Sequence, residues 1–170
     1  MKAHELFRHL SAAEVQDIVA FACEDEGVPD KIAGAVLTFQ NIPLRRFSRL
    51  PEETRLAFVR RTLRDKRAAD LSLYVLSAAL VRSRAPLIET FLDAAELPHD
   101  GPRLAFDGAI PEPAPAKVGA AVDAALAGFS PRDVTLYLRA FAAQPDVNWP
   151  SLLARLAADD RLRLEDRSAS

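Results

Sequence analysis

The polar group with the most evident chemical potential in this 170-residue chain is His99-Asp100-Gly101-Pro102. An imidazole titrates near neutrality and can take or give a proton when a carboxylate orients it. Asp100 and Asp107 are carboxylates of the same loop, so His99 with either would make a small histidine-based enzyme site in the loop 97–117. Adjacent side chains rarely support one another in that way. No nucleophile elbow and no phosphate-cradling glycine run accompanies the group. The competing role is structural: a turn in which His99 closes the C-terminal end of the preceding helix, where a cation is favoured. Catalysis is the less expected of the two.

No metal or cofactor is expected. His4 and His9 are too far apart in register to share a metal, since five helical residues rotate by about 140°. A structural zinc usually needs four Cys or His ligands. Cys23 is the only cysteine and can form no internal disulfide. Its apolar neighbours favour a buried, inert thiol.

Charge is distributed unevenly. Residues 45–84 hold eleven Lys/Arg against four Asp/Glu, while the flanking segments are acidic and the whole chain carries −2. Arg60, Arg61, Arg64 and Arg67 lie in the basic third, the first three opposite Leu56, Val59 and Leu63 on a helix that Pro51, Glu52 and Glu53 should start, and Arg67 in the turn after it. They are candidate binding residues, because arginine forks suit phosphate and carboxylate. Nucleic acid or an acidic partner could use the segment 45–67. Aromatic interleaving for base stacking is thin, and Phe47 and Phe58 read as core. A solvated helix face is the simpler reading, so nucleic acid is not favoured.

The elements that must position these residues are helices. Alanine and leucine are abundant and glycine is scarce, which favours helix over strand. Asp70–Val81 is apolar nearly all round and should be a rod buried on most sides. Ser11-Ala-Ala-Glu14 is a capping box opening a helix to about Glu26, with Gly27 ending it and Pro29 stopping it. Asp30 should cap the next helix, 31–40. Further helices are expected at about Pro86–Glu96, 116–127, Pro131–Ala143 and 150–158, with Ser130-Pro131 the clearest start. Five prolines between Leu97 and Lys117 break the pattern, so a long surface loop is expected there. About eight helices follow, in a compact bundle or a short repeat stack.

Shifting the chain by 63 residues places Val59 on Val122, Leu63 on Leu126, Asp70 on Asp133, Tyr74 on Tyr137 and Ala79 on Ala142. One further residue of shift places Pro86 on Pro150 and Leu92 on Leu156. These matches suggest an internal duplication, with units 51–97 and 114–160 and an N-terminal cap 1–45. Tyr74 and Tyr137 should then make the same hydrogen bond twice. Residues 1–160 read as one domain and 161–170 as a flexible tail. Met1–Leu10 lacks the apolar core of a signal peptide and no run approaches a membrane span, so the expectation is a soluble cytoplasmic chain. The function expected is a binding or scaffolding module, most simply one that binds another protein.

Overall fold

The computed structural model of the chain describes residues 1–106 and 108–165. The protein is all-α, with 68% of the described residues in helix and 4% in strand. Among the described residues there are ten α-helices rather than about eight. The two extra ones, Ala3–Leu6 and Leu44–Phe47, are single turns, too short for an apolar period to register. The chain divides into two compact units, Met1–Ala79 and Leu80–Glu165.

The first unit begins with α1 (Ala3–Leu6) and a 3-10 turn that bury Leu6, Phe7 and Leu10. In α2 (Ala12–Ala22) the capping box forms as expected: the Ser11 hydroxyl accepts from the Glu14 N–H, and the Glu14 carboxylate from the Ser11 N–H. The next helix, α3 (Val28–Phe39), starts earlier than its sequence suggests. Gly27, at φ 80°, is its N-cap, and Pro29 sits in its first turn instead of blocking it. A proline costs nothing there because the N–H it lacks would have no helical partner.

The short α4 (Leu44–Phe47) follows, then α5 (Glu52–Leu63) with Pro51 as N-cap and two glutamates in the first turn. A 3-10 turn capped by Asp65 leads into α6 (Ala69–Ser83). That helix holds the expected apolar rod, and it is buried on one side only. Val75, Leu76, Ala79 and Leu80 are buried, whereas Leu71, Leu73 and Val81 are half-exposed and Tyr74 is 40% exposed. Continuous apolar residues measure what a helix could bury; the neighbours decide how much of it they cover.

The second unit contains α7 (Ala85–Ala94), α8 (Pro115–Gly128), α9 (Pro131–Ala142) and α10 (Pro150–Ala158). Here a helix is buried on most sides. Val134 to Leu138, Ala140 and Phe141 of α9 are all buried. Ser130 caps this helix through the Asp133 N–H, 3.1 Å away. Its aromatic core joins Phe91, Tyr137, Phe141 and Trp149, with Phe141 and Trp149 edge to face at 5.0 Å. Tyr137 is therefore buried among rings, while its sequence counterpart Tyr74 lies under the Lys31 ammonium at 4.1 Å. The two tyrosines do not share an environment.

The segment expected as a long loop is largely built. It opens with a hairpin, β1 (His99–Asp100) paired antiparallel with β2 (Arg103–Leu104), turning at Gly101 with φ 55°. The proline-rich strap that follows is pinned. The Ile110 N–H donates to the Asp146 carbonyl at 2.9 Å, and the Trp149 indole N–H donates to the Ile110 carbonyl at 3.0 Å. The Glu112 carboxylate accepts the Ser151 N–H at 2.8 Å and the Ser151 hydroxyl, satisfying the start of α10. The chain beyond α10 makes a 3-10 turn, Asp160–Leu162, with Leu162 fully buried.

Candidate functional site

His99 lies in β1 against the exposed side of α7. Its Nδ1 is 2.7 Å from the Gly101 carbonyl oxygen and its Nε2 is 3.0 Å from Asp93 Oδ1. Both partners are acceptors, so both bonds are made only when both ring nitrogens carry hydrogen. The Asp93 carboxylate first, and then the Gly101 carbonyl, push the imidazole pKa up. With both bonds made, the ring clasps the hairpin to α7. The carboxylate that holds it is Asp93, six residues earlier, which sequence adjacency did not suggest. Asp100 pairs with Arg103 across the hairpin and is exposed. Successive strand residues face opposite sides, which takes Asp100 away from the His99 ring. Asp107 lies outside the described residues.

The four arginines of the basic segment go to different tasks. Arg64 turns inward: its Nε donates to the Phe7 carbonyl at 2.9 Å and an Nη to the Leu10 carbonyl at 3.0 Å. It thereby satisfies the end of the N-terminal helical turn. Arg67 pairs with Asp65 at 2.6 Å and lies over the Phe39 ring at 5.0 Å. The hydrogen bonds from Arg67 hold the Asp65 carboxyl down at about 2. Arg61 is exposed and Arg60 half-exposed. The structure does not gather the four into one patch of free guanidinium groups.

What the helices do gather is a groove in the first unit. It has a volume of about 350 Å³ and lies among α2, α3, the turn carrying Phe47, and α5. Val19, Ile32, Ala33, Phe47, Leu56 and Val59 supply its apolar lining. Val19, Phe47 and Leu56 read as core in the sequence, yet each is half-exposed here. Leu44, one helical turn before Phe47 and so on the same face, is 61% exposed. Arg55 and Glu52 bring the charged groups of the lining. The Arg55 Nε is buried and has no hydrogen-bond partner among the described residues. Cys23 also lines the groove, and burial pushes its thiol up, away from the reactive thiolate. A periodic apolar stripe could not reveal the groove, because the same residues would serve equally well in a closed core.

Among the described residues no group of three or more His, Cys, Asp or Glu side chains is placed to hold a metal ion. No single helix among them is long and apolar enough to cross a membrane. Comparison of the chain with protein-family models, with characterised proteins and with solved structures gives no match.

Proposed function

We propose that the chain is a protein-interaction module whose groove among α2, α3 and α5 receives an apolar helix of a partner protein. The observation that carries this reading is the groove itself: Val19, Phe47 and Leu56, three large apolar side chains at core-like positions, remain half-exposed around one concavity. Laying the apolar face of a helix into such a groove would withdraw these side chains from water. His99 has a structural task instead, since both of its ring nitrogens face acceptors, Gly101 in the hairpin and Asp93 on α7.

The test is selection of displayed helical peptides on the wild-type chain, with an Ala33→Trp variant that fills the groove as the comparison. Ala33 is half-exposed and lines the groove, so the larger side chain has room to enter it. Circular dichroism checks that the variant is folded. Peptides with apolar residues at i, i+4 and i+7 should be enriched, and should bind the wild type at least about tenfold more tightly than the variant. No enrichment, or equal binding to both proteins, would overturn the reading.

A further inference from the structure

We infer that the partner helix is flanked by acidic residues, an inference that rests on the groove reading and adds the chemistry of its occupant. The lining of the groove contains an arginine without a carboxylate partner among the described residues. Arg55 Nε is buried and makes no hydrogen bond to a described residue, although Glu52 lies one turn away on the same helix. The Arg55 guanidinium lines the groove and forms no ion pair with a described residue, so a carboxylate carried by a ligand could pair with it in the charge-assisted geometry that guanidinium favours.

On the side of Phe47 the adjoining turn carries the same sign. Arg45, Arg46 and Arg49 belong to the turn that brings Phe47 to the groove. All three are exposed, and none forms an ion pair with a described residue. Glu52 is the single carboxylate of the lining. An apolar concavity with an unpaired guanidinium in its lining and three unpaired arginines on an adjoining turn is complementary to an amphipathic helix whose apolar face is bordered by Asp or Glu. Complementary charge at such a rim steers encounter and discriminates among partners more than it adds affinity.

The experiment uses the full chain and two synthetic helical peptides with one apolar face, taken from the selection above, flanked by Glu in one and by Lys in the other. A third peptide keeps the Glu flanks and scrambles the apolar positions. At low salt the Glu-flanked peptide should bind about tenfold or more tightly than the Lys-flanked one, and added salt should narrow the gap. Arg55→Gln, and separately the combined Arg45→Gln, Arg46→Gln and Arg49→Gln variant, should each reduce that preference. Equal binding of the two peptides, or a preference that both variants retain, would overturn the acidic-flank inference while leaving the groove reading intact. Binding of the scrambled acidic peptide as tight as that of the intact one would also overturn it, by showing attraction without docking. If neither apolar peptide binds, the groove reading itself fails and takes this inference with it.

Discussion

Replacing Trp149 tests whether the strap and the aromatic core of the second unit are coupled as the structure shows. Trp149 is 1% exposed, and its ring meets Phe141 edge to face at 5.0 Å. A buried aromatic side chain withdraws roughly 150–250 Å² from water, or about 4–6 kcal/mol at ~25 cal/mol per Å². Residual compactness of the unfolded chain lowers that sum by ~10–40%. Trp149→Ala should therefore destabilise the unit by about 3–5 kcal/mol, the range typical of such truncations. Trp149→Phe separates the hydrogen bond from the packing. It keeps a ring in the cluster but leaves the Ile110 carbonyl, on a residue only 8% exposed, without its indole donor. The expected cost is about 1–3 kcal/mol. Trp149 is the only tryptophan, so urea unfolding of all three proteins should be followed by far-UV circular dichroism rather than fluorescence. A loss below about 1 kcal/mol for Trp149→Ala would refute the packing argument. A loss for Trp149→Phe equal to that for Trp149→Ala would refute the division between ring and hydrogen bond.

Two further outcomes follow from the contacts outside the groove. The His99 imidazole, raised by Asp93 and Gly101, should titrate by NMR above the ordinary value of about 6.5, and Asp93→Asn should bring it down; an unshifted midpoint would remove the clasp. Because the folded-state pKa is the higher one, the clasp contributes fully below the unfolded value. Its contribution fades as pH rises through the folded value, so protection of the hairpin amides should fall on the alkaline side. Arg64→Met should free the Phe7 and Leu10 carbonyls and cost about 1–3 kcal/mol, seen as faster amide exchange in the N-terminal turns; unchanged exchange there would show that Arg64 is not their anchor.

The helical class was legible because its signals are local. Ser11 with Glu14, Ser130 with Pro131, and the apolar spacing of α9 each act within a few residues, and each produces the element expected. Pro29 shows the limit of local reading: a proline that could end one helix instead begins the next, and the choice depends on Gly27 taking φ 80°. The strap shows another limit. Its prolines forbid helix, but its order comes from Trp149 and Ser151, some forty residues away in sequence. The candidate sites fared according to the same distinction. Asp93 holds His99 from the preceding helix, and Arg64 reaches carbonyls of Phe7 and Leu10 at the other end of its unit. Neither partner leaves a mark in the residues flanking the one it serves. The groove depends on where three helices fail to close, which no single stripe records.

The most direct test is an amide NMR titration of the full chain with the Glu-flanked peptide. The account predicts saturable shifts concentrated on the residues that line the groove, Val19, Ala33, Phe47, Arg55 and Leu56 among them, with little change around His99. Shifts centred on the His99 hairpin and α7, with the groove residues unmoved, would contradict it.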